Sequence, residues 1–200
     1  MQNSSKNQKS EFLRLSLTLF VIAGVMALLV ALVNNITAPE ITRRNELKTT
    51  EALKAVMPDA DTFEDAALDI ASVTSADGKD VPINGAWFAQ KDGETVGVCV
   101  RVSPQGYGGA IETIVGVDKD GNVTDTEIVS ISETSGIGTK IQDESFLTQF
   151  IGKKNNITAS EGANSVTLIS GATKSSKAYL RGINAALSVA STLQGGEDNE

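Results

Sequence analysis

Residues 112–131 read ETIVGVDKDGNVTDTEIVSI, and this stretch decides the fold class. Two runs rich in Val, Ile and Thr, Glu112–Val117 and Val123–Ile131, flank a DGN sequence at 120–122. β-Branched residues favour strands, and Asp-Gly is typical of a tight hairpin turn because glycine adopts a positive φ without strain. The stretch therefore predicts an antiparallel β-hairpin.

Further strand and helix patterns flank this hairpin. Ala86–Ala89 and Thr95–Val102 are β-rich and precede it, with an Asp-Gly turn between them. Helical patterns follow at Asp143–Ile151, where Asp143 is a candidate N-cap, and at Lys174–Leu193. The last helix carries an apolar stripe on one face: Tyr179, Ile183, Leu187 and Ala190. Strands followed by helices in this order predict an α+β domain built around an antiparallel sheet.

The N-terminal part of the chain has a different chemistry. Leu15–Val33 reads LSLTLFVIAGVMALLVALV and contains no charge. A bilayer core needs about 20 apolar residues of helix, so the run predicts an uncleaved membrane anchor. A cleaved signal peptide is the alternative, but its apolar core is usually about 7–15 residues long and ends at a small-residue cleavage site. Here the apolar run is longer, and the bulky Ile36 stands where a small residue would be needed.

The predicted organisation has five parts. They are a cytoplasmic N-terminus (1–14), a transmembrane helix (15–34), a stalk helix (35–58), a folded domain (59–194) and a disordered tail (195–200). Within the folded domain, Asp59–Gly85 is acidic and weakly patterned. Lys and Arg residues are balanced on the two sides of the membrane helix, so the positive-inside rule does not set its orientation.

The composition excludes several classes of functional site. The 200 residues include no histidine and one cysteine, Cys99. This rules out a Ser-His-Asp triad, imidazole-ligated metals, an iron–sulfur cluster and an internal disulfide. The formal net charge of −8 argues against a nucleic-acid surface. Any redox chemistry would need an organic cofactor, and Cys99 is interpreted as a small core residue.

Three motifs rich in small residues are candidate binding elements. The first, SGATKSS at 170–176, lies between the strand-like segment 166–169 and the last helix, where free N–H groups attract phosphate. The second, SETSGIG at 132–138, and the third, GYGG at 106–109, place glycines where a flat ring could approach the backbone. Each motif alone is equally consistent with a capped helix start or an ordinary glycine turn.

Together, in this order, the motifs resemble the family of the G component of the Rnf complex, a membrane-bound ferredoxin:NAD⁺ oxidoreductase. The chain is also similar to the C component of the Na⁺-pumping NADH:quinone reductase, which shares the FMN-binding domain. The resemblance covers nearly the whole chain: the anchor, the stalk ending in Met57-Pro58, GYGGAIETIVGVDKDG, SETSGIG, and ISGAT before a helix. The sequence departs from the family pattern at Ser135 (usually Pro), Ile137 (usually Leu) and Thr167 (often Asp).

The resemblance implies FMN joined through a phosphoester to Thr173 by a flavin transferase. It implies further cofactor contacts from the motifs: Ser170, Gly171, Ala172, Ser175, Glu133, Thr134, Gly136, Ile137, Gly138 and Tyr107. It implies no catalytic side chain and no metal ligand. Because FMN supplies the redox chemistry, the protein needs only to bind and orient the cofactor.

The implied function is electron relay in a membrane oxidoreductase complex that couples electron flow to Na⁺ or H⁺ translocation. The implied partners are other integral-membrane and redox subunits and membrane lipid. The resemblance also implies a bacterial or archaeal cell membrane, a single span, a cytoplasmic N-terminus and an extracytoplasmic domain. The alternatives are the C component of the Na⁺-pumping reductase, a stand-alone surface flavoprotein, and a non-redox anchored binding domain.

Overall fold

The computed structural model describes residues 2–68, 70–154, 156–160 and 162–197 of the chain. The chain divides into two units, Met1–Leu47 and Lys48–Glu200. The described residues of the first unit form helix, and the second unit holds the sheet and the remaining helices.

Helix α1 (Gln2–Val56) includes both the predicted transmembrane helix and most of the predicted stalk helix. Its large apolar side chains between Leu13 and Val33 are exposed. By length and composition this helix is able to cross a membrane. Pro39 lies inside the helix and has no N–H to donate, and nearby the Thr37 hydroxyl donates to the carbonyl oxygen of Val33 at 2.9 Å.

The second unit is built on an antiparallel sheet. Its strands are β1 (Thr62–Asp65), β2 (Ser72–Thr74), β3 (Asp80–Lys91), β4 (Glu94–Val102), β5 (Ile111–Asp118) and β6 (Val123–Ile131). The strand order is β1-β3-β4-β5-β6, and β2 pairs with the beginning of β3. The hairpin predicted at 112–131 is confirmed as β5 and β6, in which Ile114 pairs with Glu127. The α+β class with an antiparallel sheet is therefore confirmed.

The sheet carries a helix on each face. Helix α3 (Thr173–Glu197) covers one face, and its predicted apolar stripe is confirmed as part of the main core: Tyr179, Ile183, Leu187 and Ala190 are all buried. The end of α1 covers the other face, where Leu53, Val56 and Met57 pack with Ile114 and Cys99. Cys99 is fully buried, as expected for a small core residue.

Two segments differ from the pattern that the sequence suggested. The weakly patterned stretch Asp59–Gly85 contains β1, β2 and the beginning of β3. Both β1 and β2 are short and largely exposed, so they lack the apolar alternation by which a strand is recognised. Within the described part of the chain, the segment 166–169, expected to be strand-like, belongs to no strand. The preceding Ser165 makes an isolated bridge with Thr158.

The helical region predicted at Asp143–Ile151 is divided into short turns. Helix α2 covers only Glu144–Leu147 and lies between 3₁₀ turns at Gly138–Gln142 and Thr148–Phe150. Asp143 occupies the N-cap position of α2, but its side chain makes no capping hydrogen bond. At the C-terminus α3 extends to Glu197, into the predicted tail, and residues 198–200 lie outside the described part of the chain.

Candidate functional site

The SGATKSS segment forms the beginning of α3. Gly171 has a φ of +82°, a conformation that suits glycine, and it turns the chain into the helix. The Ser176 hydroxyl donates to the carbonyl oxygen of Ala172 at 2.9 Å and accepts from the backbone N–H of Ile169 at 3.2 Å. Ser176 therefore fixes the loop before α3 to the first turn of the helix.

Side chains at the start of α3 divide into an exposed and a buried set. Ser170 and Thr173 are exposed, whereas Ala172, Ser175 and Ser176 are buried. The first turn contains no acidic residue, and the exposed Lys174 and Lys177 lie on the same helix. A helix N-terminus with added cations favours a phosphate group, and the exposed Thr173 hydroxyl is placed where such a group could be attached.

The second and third motifs meet through the carboxylate of Glu133. The backbone N–H of Tyr107 donates to Glu133 Oε1 at 2.7 Å, and that of Gly108 donates to Oε2 at 3.0 Å. Hydrogen bonds to an ionised carboxylate are among the strong ones in proteins. Glu133 thus joins the GYGG loop (106–109) to the SETSGIG turn (132–138).

The glycines of these two motifs are explained by the packing of one loop on the other. A Cβ placed on Gly106 would overlap Glu133 Oε1, and one on Gly138 would lie 2.6 Å from Oε2. A Cβ on Gly109 would lie 2.6 Å from the Cβ of Ser132. The space beside these three glycines, where the motifs suggested the approach of a flat ring, is therefore filled by protein.

The SETSGIG turn is held by hydrogen bonds within its backbone and by one to the side chain of Thr139. The carbonyl oxygen of Thr134 accepts from the N–H of Gly138 at 2.9 Å, and the N–H of Gly136 donates to Thr139 Oγ1 at 2.9 Å. Gly136 has a φ of +75°, which explains a glycine there. The turn presents Ile137 to solvent with 52% of its surface exposed.

The first and third motifs meet at Tyr107. Lys174 Nζ lies 5.0 Å from the centroid of the Tyr107 ring, within the range of a cation–π contact. Tyr107 is 66% exposed, so its ring remains accessible beside the start of α3. The three motifs that the sequence singled out thus lie together at one end of α3.

The sequence did not identify Arg181, which is hydrogen-bonded to the residue that precedes the GYGG loop. Its guanidinium donates to the carbonyl oxygen of Gln105 at 3.1 Å and pairs with Asp77 at 3.3 Å. A hydrogen bond from Ser75, together with the charges of Arg181 and Lys79, holds the pKa of Asp77 below its ordinary value. The available signal was the spacing of Thr173, Lys177 and Arg181, which lie four residues apart and therefore on one helix face.

A groove of about 430 Å³ runs along the same face of α3. It is lined by α3, by the β2–β3 turn and by residues 156–159, among them Lys177, Leu180, Arg181, Val73 and Ile157. Asn184 fixes its far wall, because its amide accepts from the N–H of Ile157 at 3.0 Å and donates to the same residue's carbonyl oxygen at 2.9 Å. The groove combines apolar walls with Lys177 and with Arg181, and Asp77, which pairs with Arg181, also lines it.

Two family models match the chain. The model of the FMN-binding domain matches residues 106–188, and the model of the RnfG N-terminal region matches residues 1–56. The first match includes all three motifs described above. The second covers α1 to its last residue.

Similar proteins extend over nearly the whole chain. The G component of the Na⁺-translocating ferredoxin:NAD⁺ oxidoreductase complex of Acetobacterium woodii is 34% identical, over 90% of this chain and 92% of its own. The G component of the proton-translocating ferredoxin:NAD⁺ oxidoreductase complex of Clostridium ljungdahlii is 30% identical, over 96% of this chain and 98% of its own. Among solved structures, NqrC of Shewanella oneidensis is similar at 19% identity with a TM-score of 0.48, covering 72% of this chain and 74% of that one.

Proposed function

This chain belongs to the RnfG family, the G components of ion-translocating ferredoxin:NAD⁺ oxidoreductase complexes, and from that premise we propose that it carries FMN covalently on Thr173. It is an electron-relay subunit of an oxidoreductase complex and has an FMN-binding domain. FMN, when bound, supplies the electron-transfer chemistry, so the tasks of this chain are to hold, orient and partly shield the cofactor.

The observation that carries the proposal is the setting of the Thr173 hydroxyl. Thr173 is the first residue of α3 and is exposed, while its neighbours Ala172 and Ser175 are buried. The helix start has no carboxylate to repel a phosphoryl group, and Lys174 supplies a cation beside it. These features fit a phosphoester at the Thr173 oxygen. In its formation that oxygen gives up its proton and displaces a leaving group from the phosphorus of an activated flavin donor held by the transferase, so one P–O bond forms as another breaks.

The neighbouring motifs offer surfaces for the rest of the cofactor. Tyr107 and Ile137 are the exposed apolar side chains of the GYGG loop and the SETSGIG turn, and we assign them to the isoalloxazine ring. Further contacts are assigned to the motif residues Ser170, Gly171, Ala172, Ser175, Thr134 and Gly136. Glu133 and Gly138 pack against each other, so we assign them to holding the loops around the cofactor. Ala172 and Ser175 are buried, and the N–H of Ala172 already donates to the carbonyl oxygen of Ile169 at 3.0 Å. Ala172 would therefore contribute by shaping the loop before α3, and Ser175 through its backbone.

We further propose how the protein is placed in its complex. The exposed apolar surface of α1 is suited to membrane lipid and to other integral-membrane subunits. A single span with the N-terminus in the cytoplasm would put the FMN-binding domain outside, where free FMN is scarce and a covalent bond retains the cofactor. A flavin transferase would make that bond, and an exposed Thr173 is accessible to such an enzyme.

We assign the choice of coupling ion to other subunits. The relatives from A. woodii and C. ljungdahlii are named for Na⁺ and for protons, yet both are similar to nearly all of this chain. Similarity over the same residues in both cases is expected if electron transfer is the task that these G components have in common.

The test is covalent flavin fluorescence. The full-length chain is co-produced with a flavin transferase, separated by denaturing electrophoresis and viewed under ultraviolet light. We expect a fluorescent band in the wild type and in Thr173→Ser, which keeps a hydroxyl, and no band in Thr173→Ala. Ser191→Ala is the matched control, because it removes an exposed hydroxyl from the same helix but outside the three motifs and should leave the band unchanged.

Two results would contradict the proposal. One is a wild-type chain without flavin although the transferase modifies a second substrate in the same cells. The other is a band that persists in Thr173→Ala, which would move the attachment to another residue.

A further inference from the structure

We propose that Glu133 is a positioning residue, which fixes the GYGG loop to the SETSGIG turn and thereby sets the place of the Tyr107 ring, 5.0 Å from Lys174 Nζ. Its effect on the loops follows from the structure of the chain alone. Its effect on flavin rests on the proposed function.

Glu133 satisfies an anion-binding concavity that the GYGG loop creates. The consecutive N–H groups of Tyr107 and Gly108 both point at its carboxylate, at 2.7 and 3.0 Å. Successive backbone N–H groups that converge in this way form a nest for an anion. An ionised carboxylate only accepts hydrogen bonds, so one oxygen can serve each donor. The nest is therefore filled by this chain's own side chain.

The surrounding glycines fit this one side chain. A Cβ on Gly106 would overlap one carboxylate oxygen, and a Cβ on Gly138 would lie 2.6 Å from the other and 2.8 Å from the Cβ of Glu133. The carboxylate thus occupies a slot between the two motifs that exists only because both positions lack a side chain. A residue of another length or charge at 133 could not occupy the slot and make both hydrogen bonds.

Contacts lead from Glu133 to the proposed attachment site. Glu133 holds the backbone of Tyr107, and the Tyr107 ring lies 5.0 Å from Lys174 Nζ, one residue after Thr173. On its other side the Glu133 side chain packs against Gly138, next to the exposed Ile137. Loss of the carboxylate would release Tyr107 and Ile137 together, while Thr173 would stay in place on α3.

Glu133→Gln is the informative substitution because it changes almost no volume. The amide oxygen of glutamine can accept one of the two N–H groups, but its NH₂ group faces the other donor. Glu112→Gln is the matched control. Glu112 is also partly buried and accepts from Arg101 at 3.0 Å and from Asn84 at 2.9 Å, but on the sheet and not in the loops.

The first experiment does not depend on flavin. In the full-length Thr173→Ala chain in detergent, amide hydrogen exchange at Tyr107 and Gly108 is followed by NMR. We expect exchange at both amides to become at least tenfold faster in Glu133→Gln and to stay unchanged in Glu112→Gln. Glu133→Asp, which keeps the charge but is too short, should behave like Glu133→Gln. Unchanged protection in both Glu133 variants would overturn the proposal.

The second experiment measures the environment of the flavin in the chain that carries it. With Thr173 intact, Glu133→Gln should keep the fluorescent band on the gel but change the visible circular dichroism and the midpoint potential of the flavin. Glu112→Gln should change neither. If the loaded Glu133→Gln chain has a wild-type spectrum and potential, Glu133 does not position the flavin site. If the wild type carries no flavin, the proposed function fails and the exchange experiment still decides the role of Glu133.

Discussion

Replacing Tyr179 by phenylalanine should stabilise the domain. Tyr179 lies on α3 and is 1% exposed, and its ring packs with Phe146 and Phe150 at centroid distances of 5.7 and 5.2 Å. Within the described part of the chain, its hydroxyl has no hydrogen-bond partner. Burial raises the pKa of this phenol well above its ordinary value, an effect that the nearby Thr126 hydroxyl only partly opposes. The group is therefore neutral and poorly solvated.

The expected change in the free energy of unfolding follows from the environment of the Tyr179 hydroxyl. A buried polar group without a partner costs about 1–3 kcal/mol, and Tyr179→Phe removes it while keeping all three rings. We take the lower end of this range, because the hydroxyl also fills space that phenylalanine leaves empty. The free energy of unfolding of Tyr179→Phe should therefore exceed that of the wild type by about 1 kcal/mol. For a chain of this size that raises the Tm by about 2–4 °C. Tyr179→Ala, which also removes the ring, should instead cost about 3–5 kcal/mol.

The assay is guanidinium unfolding of the full-length chain in mild detergent. The single tryptophan, Trp87, packs in the cluster between β3 and the end of α1 and reports loss of the sheet through its fluorescence. Thr126→Val is the companion variant, because Thr126 is a second buried hydroxyl without a partner among the described residues. If the free energy of unfolding of Tyr179→Phe is equal to or lower than that of the wild type, the Tyr179 hydroxyl is stabilising in the folded chain and the reasoning is refuted.

Two further predictions concern titratable groups. Although burial alone would raise the pKa of Glu112, hydrogen bonds and charge from Arg101, with a hydrogen bond from Asn84, hold it below the ordinary 4.5. This stabilisation is present above pH 4.5 and is lost as pH falls through the lower folded value, so Arg101→Met should cost less in acid than at pH 7. Equal losses at both pH values would contradict this assignment. Burial also raises the pKa of the Cys99 thiol to about 12, so a thiol reagent at about pH 8 should modify Cys99 only in guanidinium. Rapid modification of the native chain would show that β4 opens.

The sequence predicts the centre of the fold better than its edges. β4, β5, β6 and α3 are recognised because the sheet and α3 bury one another, which imposes periodic apolar positions such as Ile183 and Leu187. Among the described strands, β1 and β2 pair only with β3, and both are largely exposed. They therefore lack the periodic apolar positions by which a strand is recognised in the sequence. The divided region around α2 is fixed instead by tertiary packing of Phe146 and Phe150 against Tyr179.

At the candidate site, the sequence predicts which motifs matter but not why each residue is needed. Chain order and resemblance select the GYGG, SETSGIG and SGAT motifs, and the structure brings them together. The geometric reason for Gly106 and Gly138 is nevertheless the Glu133 side chain, which lies far from Gly106 in the sequence. The role of Arg181 could not be predicted from the sequence either, because its partners Asp77 and Gln105 are 104 and 76 residues away. Contacts between such distant residues follow only from the folded arrangement.

Helix α3 explains how an open site could serve the covalently held cofactor that we propose. Its buried stripe fixes the helix to the sheet, its first residue is Thr173, and Arg181 supports the GYGG loop from the same helix. A cofactor bonded to Thr173 would meet the loops intramolecularly, at an effective concentration of the order of millimolar, without needing high intrinsic affinity. Under the proposed function, Tyr107 and Ile137 can therefore remain 66% and 52% exposed and leave one edge of the ring accessible to a redox partner. A site that had to capture free FMN would need to enclose it, and enclosure would lengthen the path for electrons.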